Sequence, residues 1–256
     1  MGIEIFKKHL REKRAIKIGV GSSDLEKVGK ICRAAQSARA SAVDIPYSKE
    51  VYDVARKNTK LPIIVSSIHP FEILEAVKMG ADGVQIGNYW DLYRSGKYFN
   101  AEEIYDVVLE TMGLINDYET FICVTIPASI ELNEQAELIH KLEVLGVDMI
   151  QTEGYKKVAV NSVIVESAFD SIVNLGECLK VTGLPIMTSS GMSTKTLFAA
   201  FERGASAVAV DNAVNQLPTE AAMKTVIMDM VASVSYRNSI NREMVRTQRE
   251  MAKIEY

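Results

Sequence analysis

The sequence has few cysteines and no long apolar run, and these absences exclude several classes of protein. Its 256 residues include three cysteines, an odd and widely spaced set. Such a set fits neither a disulfide framework nor a zinc knuckle, and it indicates a reducing compartment. No apolar run approaches the roughly 18 residues of a membrane-spanning helix, and the charged start of the chain lacks the apolar core of a signal peptide. We therefore expect a cytoplasmic protein with no membrane partner.

An excess of one charge is also missing. The net charge is −4, from 29 basic and 33 acidic side chains, which gives no reason to expect nucleic acid as a partner. Apolar residues make up 48% of the chain and charged residues 24%, as in an ordinary globular domain. A (β/α)8 barrel typically needs about 250 residues, so the length favours one domain over residues 1–256.

Eight short runs rich in β-branched residues alternate with longer helical patterns. The runs are Ala15–Val20, Ala42–Ile45, Pro62–Val65, Gly83–Ile86, Phe121–Ile126, Asp148–Thr152, Pro185–Thr188 and Ala207–Val210. Strands that alternate with helices predict a parallel sheet with helices on its faces. An amphipathic segment, Ile3 to Lys13, precedes the first strand, and we predict that it is a helix that covers the bottom of a barrel.

An internal repeat favours a closed barrel over an open sheet. The segment TKLPIIVSS at 59–67 matches TGLPIMTSS at 182–190, and GADGVQIGN at 80–88 matches GASAVAVDN at 204–212. Both matches relate strands 3 and 4 to strands 7 and 8, about half a chain apart. A TIM barrel built from two similar halves would show this spacing. Chance similarity between short apolar strands is the alternative.

The alternation of side chains along each strand predicts which residues face the barrel interior. Large aliphatic residues should face the helices, which leaves Lys17, Asp44 and Glu153 inside. These three lie near the carboxyl ends of their strands, where barrel enzymes carry their active sites, so we predict them as catalytic residues. The residues predicted to contact substrate are Gln85, Asn88, Thr125, Gln151 and Asp211.

Two interpretations of the Lys17 and Asp44 pair remain open. It can be a structural ion pair that seals the barrel, as buried pairs often are. Alternatively, Lys17 can form a Schiff base with a carbonyl compound or stabilise an enolate, while Asp44 and Glu153 move protons.

The loops after the last two strands predict a phosphate site. Barrels commonly bind phosphate there, against the start of a short helix. The predicted phosphate-binding residues are Ser190, Gly191, Ser193, Asn212 and Ala213. Ser193 can also serve simply to cap the following helix. The negative charge of Asp211 disfavours the binding of a phosphate group directly beside it, because like charges repel.

Two further segments carry open alternatives. The loop at 88–100 holds five aromatic residues and the cations Arg94 and Lys97, which suits either a lid over an anionic ligand or a well-packed surface loop. The charged segment at 241–256 suits an exposed surface or a contact in a homo-oligomer. No clustered spacing of His, Cys and Asp indicates a metal.

Several motifs resemble the hypothetical chloroplast reading frame 23 family, whose members occur in plastids, cyanobacteria and other prokaryotes. The motifs are CVTIP at 123–127, GVDMIQTEG at 146–154 and SSG-S at 189–193, with shorter matches that extend over nearly the whole chain. The resemblance implies an aldolase-type barrel and no settled reaction. The family tends to have Gly-Ser after strand 8, where this chain has Asp211-Asn212.

These observations lead to three hypotheses on function. The first is an enzyme that acts on a small phosphorylated carbonyl metabolite as a lyase, synthase or isomerase. The second is an oxidoreductase with FMN, since the FMN phosphate uses the same place in related barrels. The third is a regulatory protein that binds a phosphorylated metabolite without turnover. The fold alone does not choose among them.

Overall fold

The fold is seen in a computed structural model, which describes residues 2–89, 92–93, 95–154 and 163–251. Arg94, proposed above as a lid cation, lies outside the described residues, as does part of the charged C-terminal segment. Among the described residues, no helix is long and apolar enough to cross a membrane.

Eight parallel strands form a closed barrel in sequence order. They are β1 (Ala15–Gly19), β2 (Ala42–Pro46), β3 (Ile63–Ser67), β4 (Gly83–Ile86), β5 (Phe121–Ile126), β6 (Met149–Thr152), β7 (Ile186–Thr188) and β8 (Ala207–Val210). Strand β1 pairs with both β2 and β8, which closes the ring. The predicted (β/α)8 TIM barrel is therefore confirmed, with strand ends within two residues of the predicted ones.

Helices cover the outside of the barrel and its amino-terminal end. They are α1 (Gly2–Arg11), α2 (Leu25–Ser37), α3 (Lys49–Asn58), α4 (Pro70–Lys78), α5 (Ala101–Leu114), α6 (Leu132–Leu145), α7 (Val163–Cys178), α8 (Leu197–Arg203), α9 (Asn212–Asn215) and α10 (Glu220–Met251). The aliphatic residues of the strands, such as Ile16, Ile18 and Val43, pack against this layer as the alternation predicted.

The lower half of the barrel interior is apolar and is closed by α1. Phe6 and Leu10 of α1 pack with inward-facing residues of the strands, among them Ile64, Phe121 and Met187. The rings of Phe6 and Phe121 meet edge to face at 5.7 Å. The predicted helix at the bottom of the barrel is therefore confirmed. Because this end is closed, a small ligand can enter only from the opposite end, where the strands terminate.

Cys123, on β5, lies within this apolar interior. It is fully buried, and burial raises the pKa of its thiol to about 12 although the nearby charge of Lys17 acts in the opposite direction. A thiol with such a pKa is almost entirely protonated at neutral pH and is a poor nucleophile. Cys123 is therefore a packing residue.

Glycines shortly before β4, β6 and β8 follow the ends of α4, α6 and α8 in the left-handed region. Gly80, Gly146 and Gly204 have φ values of 90°, 91° and 114°. Such a residue closes the end of a helix and directs the chain into the next strand, and glycine adopts this conformation without the strain that a Cβ introduces.

Gly204→Ala is expected to lower the free energy of unfolding by about 1–2 kcal/mol, the usual cost of a left-handed alanine. Its Cβ would also lie 2.9 Å from Leu179 Cδ1. Gly113→Ala within α5 is the matched control, because a Cβ there meets no atom within 4 Å and alanine favours a helix. Urea denaturation should show a loss for the first variant only. Equal effects of the two would contradict the role of the left-handed conformation.

Candidate active site

Lys17 lies at the centre of a buried hydrogen-bond network above the apolar interior. Its side chain is 1% exposed. The Nζ atom donates to Asp44 Oδ2 at 2.8 Å, to Gln151 Oε1 at 3.3 Å and to Gln85 Oε1. A protonated amine has three N–H donors, and each of them has an oxygen acceptor. The structure thus brings together four of the predicted site residues from strands β1, β2, β4 and β6.

Thr125 of β5 closes this network into a ring. The Nε2 atoms of Gln85 and Gln151 donate to Thr125 Oγ1 at 3.2 and 3.1 Å. Because both amide nitrogens point at the hydroxyl, both amide oxygens are directed at Lys17. The ring fixes the position of the ammonium group across the barrel, and buried polar groups that are fully satisfied in this way hold a single arrangement.

Asp44 is the member of the network that is open to the mouth of the barrel. Its side chain is 17% exposed, against 1% for Lys17. Its Oδ1 atom accepts a hydrogen bond from the hydroxyl of Ser66 on β3. The sequence prediction missed Ser66 because it ended strand 3 at Val65. One more step of the same alternation, from Ile64 to Ser66, would have found it.

Glu153 lies just beyond β6, two residues closer to the mouth than Gln151. Its carboxylate accepts a hydrogen bond from the Tyr93 hydroxyl, and its carbonyl oxygen accepts one from Asn174 Nδ2 at 3.1 Å. The structure therefore places this predicted catalytic residue against the loop after β4. Tyr93 was not predicted as its partner, although the aromatic content of the loop had marked the segment.

The aromatic residues of this loop pack over the ends of β5 and β6. Tyr89 is buried and donates from its hydroxyl to the Thr125 carbonyl at 3.0 Å. Its ring meets Phe99 edge to face at 5.8 Å, and Tyr93 stacks on Tyr98 at 5.3 Å. The described part of the loop thus covers one side of the barrel mouth, which fits both interpretations of the segment.

Tyr93 and Tyr89 make the stability of the folded protein depend on pH in the alkaline range. Burial, together with the negative charge of Glu153, raises the pKa of both hydroxyls well above the ordinary value of 10. Their neutral forms are therefore favoured in the folded protein, whereas an unfolded tyrosine ionises at about pH 10. Their contribution to stability is present below pH 10 and is lost as the pH rises further.

Tyr93→Phe should therefore reduce the decline in the free energy of unfolding between about pH 9 and 11, because phenylalanine does not ionise in the unfolded chain. Urea denaturation at several pH values, with wild type and variant side by side, measures the two slopes. Identical slopes would show that Tyr93 ionises as readily in the folded protein as in the unfolded one.

The predicted phosphate loop after β7 has an unusual backbone. Ser190 and Gly191 both have a φ of 66°, and a non-glycine residue in this region carries strain of about 1–2 kcal/mol. Just before them, Ser189 Oγ donates to the Thr152 carbonyl at 2.9 Å. Ser193 Oγ accepts from the Lys195 amide at 3.3 Å within the turn before α8, whereas the residue that caps α8 is Thr196, so Ser193 is not the cap of this helix. Strain of this kind concentrates at ligand sites.

The other predicted residues of the mouth are solvent-accessible. Asn212 and Ala213 begin the four-residue helix α9. Asn88, with a φ of 75°, and Asp211 are exposed, at the ends of β4 and β8. Asn215 was missed as a site residue, although it is buried and holds the ends of β1 and β8 together. Among the residues that the structure describes, no group of three or more His, Cys, Asp or Glu side chains could hold a metal ion.

Comparison with known proteins identifies the family. The profile of the family described as "Protein of unknown function (DUF561)" matches residues 4–240. The chain belongs to the DUF561 family. Two relatives of this DUF561 chain, each described as "Uncharacterized protein ycf23", come from Cyanophora paradoxa and Cyanidium caldarium. The first is 31% identical and covers 89% of this chain and 95% of its own length. The second is 32% identical, with 88% and 92% covered. The resemblance to the chloroplast reading frame 23 family is thereby confirmed.

Solved structures similar to this DUF561 chain share its fold at low sequence identity. A truncated 3-deoxy-D-arabino-heptulosonate 7-phosphate synthase from Thermotoga maritima gives a TM-score of 0.62 at 12% identity, over 88% of this chain and 87% of that one. A 3-hexulose-6-phosphate synthase gives 0.61 at 12% identity, over 85% and 98%. These likenesses confirm the TIM-barrel fold.

Proposed function

We propose that this protein is a barrel enzyme that acts on a small phosphorylated carbonyl compound as a lyase, synthase or isomerase. The observation that carries the proposal is the buried pair of Lys17 and Asp44 at the mouth of the barrel, with Asp44 as its solvent-accessible member. A carboxylate held in a fixed position at the open end of a barrel is suited to move a proton at the carbon beside a carbonyl group.

The contacts of Lys17 favour an enolate mechanism over a Schiff base. Schiff-base formation requires an amine with a free lone pair, whereas the three acceptors around Nζ match the three donors of an ammonium group. We therefore assign proton transfer to Asp44 and assign to Lys17 the positioning of its carboxylate. Glu153, oriented by Tyr93, is the second proton-transfer group on the opposite side of the mouth.

The phosphate group is proposed to lie between the loops after β7 and β8. Ser190, Gly191 and Ser193 supply the first loop, and Asn212 and Ala213 the second. Support comes from the strained backbone at Ser190 and from the fold neighbours, whose names include synthases of phosphorylated compounds. The side chains of Gln85, Thr125 and Gln151 are engaged in hydrogen bonds within the network around Lys17. Of the residues predicted to contact substrate, Asn88 and Asp211 therefore remain. Cytoplasmic location and a homo-oligomer stay predictions.

The test is proton exchange on candidate substrates in D2O. We expect NMR to show exchange of a C–H beside the carbonyl group for at least one member of a panel of triose phosphates and phosphorylated sugars. Borohydride treatment in parallel should give no adduct, and a mass increase on Lys17 would instead support the Schiff-base mechanism. Binding without exchange for the whole panel would favour the regulatory hypothesis, and a yellow purified protein would favour FMN.

A further inference from the structure

The carboxylate of Asp211 occupies a space that only a glycine at position 19 leaves open. A Cβ placed on Gly19 would lie 1.7 Å from Asp211 Oδ1. Gly19 ends β1 and Asp211 directly follows β8, and these two strands pair with Lys17 opposite Ala209. Gly19 and Asp211 each lie two residues further along and continue the inward-facing alternation. The carboxylate of Asp211 therefore projects over the end of β1, the strand that carries Lys17, on the inner side of the mouth.

Asn215 fixes the backbone on which this carboxylate stands. It is 7% exposed, and its Nδ2 atom donates to the carbonyl oxygens of Gly19 at 2.7 Å and Asp211 at 2.8 Å. Its Oδ1 atom accepts from the Gly21 amide at 3.2 Å. One buried amide thus holds both chain segments, and the carboxylate cannot retreat from the mouth by a shift of its own backbone alone.

A carboxylate at this point, on a backbone that Asn215 holds, discriminates between ligand groups. It accepts hydrogen bonds from hydroxyl groups, and it repels a phosphate dianion that approaches the neighbouring Asn212 and Ala213. Building on the phosphate-binding function proposed above, we propose that Asp211 is a specificity-determining residue. It keeps the phosphate away from Asn212 and Ala213, which narrows the phosphate site proposed above to the loop with Ser190 and Gly191. It also accepts a hydrogen bond from a hydroxyl of the substrate, which is therefore a hydroxylated phosphate ester of the sugar-phosphate class.

The first experiment follows inorganic phosphate by amide chemical shifts of the full chain. In the wild type, we expect shifts at Ser190 and Gly191. Asp211→Asn should bind phosphate roughly three- to tenfold more tightly, because one like charge is removed at short range, with new shifts at Asn212 and Ala213. Glu131→Gln is the matched control, since it removes an exposed carboxylate after β5 at the same end of the barrel and should leave phosphate affinity unchanged.

The second experiment compares glycerol 3-phosphate with n-propyl phosphate, which lacks the hydroxyls. The wild type should prefer glycerol 3-phosphate roughly tenfold, as a hydrogen bond to a charged acceptor would give. Both Asp211→Asn and Gly19→Ala, which displaces the carboxylate, should remove most of this preference. Equal affinities for the two esters in the wild type, or wild-type phosphate shifts at Asn212 and Ala213, would overturn the role of Asp211 while the phosphate function stands. Absence of binding of every probe would overturn both.

Discussion

Lys17→Met is expected to lower the free energy of unfolding by about 3 kcal/mol. Removal of one partner from a buried ion pair typically costs about 3–5 kcal/mol, because the other charge loses its compensation. Water reaches the partly exposed Asp44, which places the loss at the lower end of that range. The amide oxygens of Gln85 and Gln151 also lose their donor, and buried acceptors without a donor add to the cost. Urea denaturation followed by circular dichroism measures the loss.

The matched control is Lys49→Met, which removes the lysine of an exposed pair with Asp53 on α3. Exposed ion pairs of this kind contribute little to stability, so this variant should have the same free energy of unfolding as the wild type. If the free energy of unfolding of Lys17→Met also equals that of the wild type, the ring around Lys17 does not stabilise the barrel, and the ion pair is present for another reason. A loss in both variants would point to a general effect of charge.

The inner face of the barrel could be predicted from the sequence because the outer face is so regular. β-Branched and aliphatic residues such as Ile16, Ile18 and Val43 pack against the helices. Because side chains alternate along a strand, Lys17 and Asp44 must then face the barrel interior. The direction of each strand then placed them at one end. The same reasoning predicted the inward positions of Gln85, Thr125 and Gln151.

The hydrogen-bond partners of the site residues could not be predicted, because they are far apart in the sequence and no local pattern links them. Tyr93 meets Glu153 across 60 positions of sequence, and this contact follows from the path of an irregular loop. Asn215 reaches Gly19 across 196 positions, through the closure of the barrel. The ring through Thr125 arises from the orientation of two amide groups, which is settled only when Lys17, Gln85 and Gln151 stand together.

Asp44→Asn is expected to slow proton exchange on the phosphorylated substrate by roughly 10²–10⁴-fold, the usual contribution of a positioned acid or base. The amide has the shape of the carboxylate: its oxygen can accept from Lys17 while its nitrogen donates to Ser66. The loss should therefore appear in kcat, with KM little changed, because the chemistry and not the fit of the substrate has been altered. The D2O exchange assay measures both constants.

Ser66→Ala tests the same carboxylate from its other side. It removes the hydrogen bond to Oδ1 but keeps the charge and the contact with Lys17, so exchange should fall much less than in Asp44→Asn. If Asp44→Asn exchanges protons at the wild-type rate while remaining folded, Asp44 is not the base and the pair with Lys17 is structural. Glu153 would then be the remaining proposed proton-transfer group, and Glu153→Gln would be expected to show the loss instead.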